Sequence, residues 1–114
     1  LEALPPAGAA ILLAHEPDYA DRAAAAGRFD LQLSGHSHGG QINIPVAVRW
    51  ALPRKGEKYV RGLHWVNGMA LYVNRGVGMF TLPFRFRARP EITLCLLHHE
   101  TPGESLPPDA RVQL

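Results

Sequence analysis

The chain has 114 residues, the size of one domain or part of one. It is 46% hydrophobic and 19% charged, as soluble globular proteins are, and a net charge of +2 leaves no nucleic-acid footprint. A single cysteine, Cys95, excludes an internal disulfide, and no apolar run approaches the roughly 18 residues that cross a bilayer.

Residues 1–9 read as a connector, with no signal peptide at the start. The chain opens on Leu1 rather than Met, which reads as a processed or truncated product. Residues 10–14 form a short apolar run that predicts a buried strand. His15-Glu16-Pro17-Asp18 follows as a loop, since Pro17 disfavours helix at Glu16 and Asp18 suits an N-cap. Residues 19–26 are Ala-rich and helix-forming, with Gly27 as the stop. Residues 29–34 predict the next buried strand. Strand, loop, helix and strand in so short a span form an α/β unit and favour a parallel pair.

Gly35-His36-Ser37-His38-Gly39-Gly40-Gln41 comes directly after that strand. In extended backbone, side chains repeat with period two, so His36 and His38 are expected to point the same way. Neutral imidazole is the commonest side-chain metal ligand. The plain alternative is a polar turn with two solvated histidines. His15 shifts the balance, because it too follows an apolar strand. In open α/β sheets, ligands bind beyond the carboxyl ends of the strands. Parallel neighbours would therefore gather His15, His36 and His38 around one crevice.

Pro45 argues against a central strand in residues 42–53, and residues 54–58 read as a polar loop. Residues 59–66 alternate as a strand, Asn67-Gly68 signals a type I′ hairpin, and residues 69–74 return. Gly76 and Gly78 end that strand, and Pro83 and Pro90 bracket an irregular segment. Residues 91–98 predict a last strand, with Cys95 as a buried inert thiol, and residues 101–114 read as a loose tail. Arg85, Arg87 and Arg89 read as one solvated strand face rather than a phosphate rail. Asn74 and Arg75 either approach a phosphate or serve a glycine turn. Tyr59 and Arg61 suit an exposed strand face better than a cleft lining. His64 reads as structural, His98 and His99 as surface histidines, and Trp50 and Trp65 as core or interface residues.

Several of these segments resemble the calcineurin-like metallophosphoesterases. The stretch from Leu12 to Asp18 and the Gly35–Gln41 loop carry the likeness, and the loop is similar to the Gly-His-Thr/Ser-His-Gly-Gly-Gln loop of a bacterial branch. Residues 59–63 and 71–78 are similar to that branch too. The resemblance runs from about residue 10 to about residue 97. It implies an α/β fold in which residues 10–100 form the C-terminal half of a four-layer α/β/β/α sandwich. It implies a metal-dependent phosphoesterase, with hydrolysis of a phosphate mono- or diester by a metal-bound hydroxide. It also implies two divalent metal ions (Mn, Fe or Zn), with His15 and His36 on one and His38 on the other.

The family's Asp-x-His, Gly-Asp and Gly-Asn-His-Asp/Glu motifs do not occur in the sequence, and Asp18, Asp21, Asp30 and Asp109 lie in other contexts. The 114 residues are thus expected to be inactive alone. They are expected to pair with the N-terminal half of the same domain or to self-associate, with a phosphate ester as substrate and any membrane attachment lying in a preceding segment. The rival reading is a non-catalytic interaction scaffold of the same fold.

Overall fold

The computed structural model describes residues 4–5, 7–43, 58–81 and 83–97. Expectations for Pro45, Trp50, the 54–57 loop, His98, His99 and the 101–114 tail lie outside the described residues. Four strands form one mixed sheet: β1 (Ile11–Leu13), β2 (Leu31–Ser34), β3 (Gly62–Val66) and β4 (Met69–Val73). Their spatial order is β1-β2-β4-β3. β1 and β4 each pair in parallel with β2, and β3 closes the far edge antiparallel to β4. The parallel β1–β2 pair is the one expected from the strand–helix–strand span, with the helix α1 (Ala20–Ala25) in the crossover.

The helix stops at Gly27, whose φ of 63° is left-handed, and its apolar face is only alanine. Ala20, Ala23 and Ala24 fall at i, i+3 and i+4 and are buried. Such small side chains let the helix lie close to Leu71 and Val73 of β4, which are fully buried in the same cluster. Asp18 does not cap this helix. The chain enters α1 through a tight turn at Pro17–Tyr19, and the Asp18 carboxylate instead accepts from the backbone N–H groups of Lys58, at 2.9 Å, and Tyr59. Asp21 accepts from the Lys58 ammonium and the Tyr59 hydroxyl, each at 2.9 Å, and the Lys58 bond is the main reason its carboxyl sits below the usual range. Helix and hairpin are thereby tied together.

Asn67 and Gly68 take φ values of 47° and 85°, the left-handed pair that a type I′ turn requires. This turn sets the β3–β4 register, with Val66 opposite Met69.

Strand alternation gives the sheet two faces. Leu12, Gln32, His64, Val66, Leu71 and Val73 lie toward α1. Ile11, Leu13, Leu33, Leu63, Trp65 and Tyr72 lie on the other side, by the register of the three ladders. On that side Leu13 is 77% exposed and Trp65 is 71% exposed. Trp65 is thus outside the core.

Four further expectations change. Residues 91–97 form no strand, because no described neighbour offers them a ladder, and Cys95 is exposed rather than buried. Arg85, Arg87 and Arg89 are not on a strand, and Arg85 is half-buried. Tyr59 is buried rather than on an exposed strand face, its ring edge-on to His64 at 5.1 Å. Among the described residues, no helix is long and apolar enough to cross a membrane.

Candidate functional site

The ladders of β1 and β2 continue past the strand ends. Ala14 N–H donates to Leu33 O at 3.1 Å, and Gly35 N–H donates to His15 O at 3.2 Å. Beneath them the buried Gln32 amide donates to Pro17 O and to Ser34 Oγ. The turn after His15 is therefore anchored to β2. Two parallel strands ending in step bring their next residues side by side. The ring centroids of His15 and His36 lie 4.9 Å apart and nearly perpendicular. An open cleft of about 320 Å³ borders this edge, lined by Leu13, Ala14, His15, Leu33, Ser34 and Gly35.

His38 reaches its place by a different route from the one expected. The loop is not extended, so the period-two argument fails. His36 and His38 have φ values of 65° and 50°, in the left-handed region that bulky residues avoid. The backbone reverses at each, and the His38 ring turns toward Gly78. Its Nδ1 lies 3.2 Å from Gly78 O. Among the described residues, no three His, Cys, Asp or Glu side chains form a group able to hold a metal ion. The structure thus brings His15 and His36 together and sets His38 apart from them.

Such a backbone costs about 1–3 kcal/mol for each non-glycine residue so placed. It persists only where neighbours over-determine it, and here they do. Ser37 Oγ accepts from Gly39 N–H and donates to Val60 O. The Gln41 amide donates to Phe80 O and accepts from Phe80 N–H, both at 2.7 Å. The Asn43 amide donates to Gly39 O at 2.9 Å and Arg87 O at 3.0 Å. Gly39 is itself required, because a Cβ there would lie 2.6 Å from the Arg75 stem and its φ is 63°.

Arg75 and Asn74 sit behind this loop. Arg75 Nε pairs with Glu91, whose carboxylate also accepts from Tyr72 and Thr93. Burial pushes the Glu91 carboxyl up, but the bonds from Tyr72, Arg75 and Thr93 outweigh it and hold its pKa down at about 2. The Asn74 amide is engaged at both ends, accepting from Gly76 N–H and donating to Thr93 Oγ1. His64 Nε2 contacts Arg61 O at 3.0 Å, a structural role as expected. Sequence reasoning missed the clamps supplied by Gln41, Asn43 and Arg85. The only hint was Gln41's place inside the loop motif.

No protein-family profile matches the chain, and no solved structure matches it. Among curated proteins it is similar to the uncharacterized metallophosphoesterase YkuE of Bacillus subtilis, 47% identical over 76% of this chain and 30% of that protein. It is similar to the phosphodiesterase YaeI of Escherichia coli, 36% identical over 79% of this chain and 34% of that protein. It is also similar to a transmembrane protein with metallophosphoesterase domain of Bos taurus, 38% identical over 85% of this chain and 21% of that protein. The chain spans about a third or less of the length of these relatives. With such identity over three quarters and more of its residues, the chain belongs to the metallophosphoesterases.

Proposed function

We infer that this chain supplies part of the metal centre of a calcineurin-like phosphoesterase, acting on a phosphate mono- or diester. The observation that carries the reading is the His15–His36 contact at the carboxyl edge of two parallel strands. In this reading His15 and His36 serve one divalent cation and His38 a second. The donors fit such a group in kind, since imidazole suits Mn, Fe and Zn. They do not fill it in number, and the carboxylate bridge comes from residues outside those described. The exposed apolar face, with Leu13 and Trp65, supports the further step that the 114 residues are the C-terminal half of an α/β/β/α sandwich. The rest of the domain, or a second copy of the chain, covers that face.

When bound, the cations supply charge neutralisation at the phosphate and an activated water for in-line attack. The residues of this chain orient that chemistry. The paired strand ends hold His15 and His36 at fixed separation. The Gly78 carbonyl is an acceptor only, so its contact with His38 Nδ1 puts the ring proton there and leaves the Nε2 lone pair for a metal. With Arg75 Nε on Glu91, its two terminal nitrogens are the donors it offers a phosphate oxygen. Asn74 shapes the turn that presents it.

Metal content and turnover test this together. The full-length polypeptide should bind manganese and hydrolyse aryl phosphate mono- or diesters, and His36→Ala should remove both. The isolated 114 residues should show negligible turnover with added manganese. Robust turnover by the isolated chain, abolished by His36→Ala, would mean that these residues complete a site unaided. A full-length protein that neither binds manganese nor turns over would leave the non-catalytic scaffold.

A further inference from the structure

Arg85 was expected to lie on a solvated face, yet its guanidinium is the most connected side-chain group around the histidine loop. Its Nε donates to Gly78 O at 2.9 Å, and Nη2 donates to the same oxygen. Nη2 also donates to Arg75 O at 2.9 Å. Nη1 donates to His38 O at 3.3 Å and to Ala88 O at 3.2 Å. Four carbonyls from three stretches of chain thus converge on one planar cation. The acceptors are backbone oxygens, so the group is held by geometry rather than by a counter-charge.

The shared oxygen is the informative atom. Gly78 O accepts from the guanidinium and meets His38 Nδ1 at 3.2 Å. Arg85 Nη2 itself stands 3.4 Å from that ring nitrogen, a longer approach. The guanidinium can only donate, so that longer approach would suit a bare Nδ1; the Gly78 carbonyl can only accept, and its shorter contact favours the proton on Nδ1. The ring also packs on Gly78, where an added Cβ would lie 3.6 Å from His38 Cε1. Without the cation, the loop carrying Gly78 would lose its bonds at Gly78 O and Arg75 O, and the His38 loop its bond at His38 O.

We propose that Arg85 is a positioning residue for His38: by pinning the Gly78 carbonyl and the His38 backbone at once, it sets the ring's orientation and keeps the proton on Nδ1, so that Nε2 faces a metal ion. The proposal rests on the reading of His38 as a ligand. Lysine cannot substitute, because a point charge with three donors does not span a planar set of carbonyls. Outer partners of this kind typically govern metal affinity by roughly 10–100-fold.

The test uses the full-length polypeptide, metal-free, labelled with ¹⁵N-histidine and held at alkaline pH where neutral rings prevail. In the wild type the His38 nitrogen shifts should show the proton on Nδ1. A wild-type ring with its proton on Nε2 overturns the proposal without any variant. In Arg85→Lys the Nε2-protonated form should appear, and manganese affinity should fall by roughly 10–100-fold. Arg87→Ala serves as the control. The Arg87 guanidinium lies 5.6 Å over the Phe86 ring, and its removal should change neither readout. An unchanged tautomer in Arg85→Lys, with the α1 and hairpin resonances intact, overturns the proposal. A shifted tautomer with unchanged manganese affinity upholds Arg85's hold on the ring but overturns the ligand reading of His38, and with it the proposed purpose.

Discussion

The two faces of the sheet are written in the same residue alphabet and meet different fates. Leu71 and Tyr72 are neighbours on β4. Leu71 is fully buried under α1, and Tyr72 faces the opposite side with Leu13 and Trp65. One six-residue helix with an alanine face covers the first side. No described element covers the second, and Ile92 and Leu94 beside it stand 90% and 83% exposed. The apolar content of these strands suits two covering layers. Soluble monomers rarely leave such a patch open beyond a few hundred Å². The two faces thus differ in what covers them and not in how apolar they are.

The largest expected effect is on association. The 114-residue chain should self-associate at micromolar concentration in sedimentation equilibrium, and Leu13→Asp combined with Trp65→Asp should disperse it. A compact, cooperative monomer of the unmutated chain would erase the difference between the two faces. Next comes a substitution on the covered face. Leu71→Ala should cost about 2–5 kcal/mol in urea unfolding of the full-length protein, because the cavity beneath α1 cannot close. A loss below about 1 kcal/mol there would mean that α1 does not seal a packed core.

Gly39→Ala should cost about 1–3 kcal/mol, since the new Cβ meets the Arg75 stem and the backbone stays left-handed. The fall should appear as loosening of the histidine loop in amide exchange, with β1 and β2 still protected. The smallest effect concerns the rim of the open face. The Glu91 carboxyl falls from its ordinary 4.5 to about 2 in the folded chain. Its pairing with Tyr72 and Arg75 is thus fully stabilising above pH 4.5 and is lost as pH drops toward 2. Resonances of Tyr72 and Thr93 in the folded chain should move together as pH falls toward about 2. Glu91→Gln should abolish the movement, and a variant that still shows it would place the titration elsewhere.

Much of the scaffold was legible because its causes are local. Apolar runs at residues 10–14 and 29–34 flank an Ala-rich helix, and a β–α–β crossover follows from that alone. Asn67-Gly68 admits the left-handed pair of a tight hairpin. The positions of His15 and His36 follow from the same logic, since each comes just after a strand. The last strand expected from the sequence is absent among the described residues. Residues 91–97 alternate as a strand should, but a ladder needs a partner, and periodicity does not supply one. Asp18 likewise has the chemistry of a cap, and the backbone of Lys58 and Tyr59 claims it first.

The sequence by itself determined the first strands and helix, the hairpin turn, the parallel pair and the two histidines at its edge, because period and turn chemistry act over a few residues. Only the tertiary structure decided the backbone of the histidine loop and which side chains hold it. His36 and His38 take left-handed φ values that few non-glycine residues adopt. Arg85 and His38 stand 47 residues apart, and Gln41 and Phe80 39 apart. Bonds over such separations form only once the strands have brought the two segments together, so their effect on the loop becomes visible only in the folded chain.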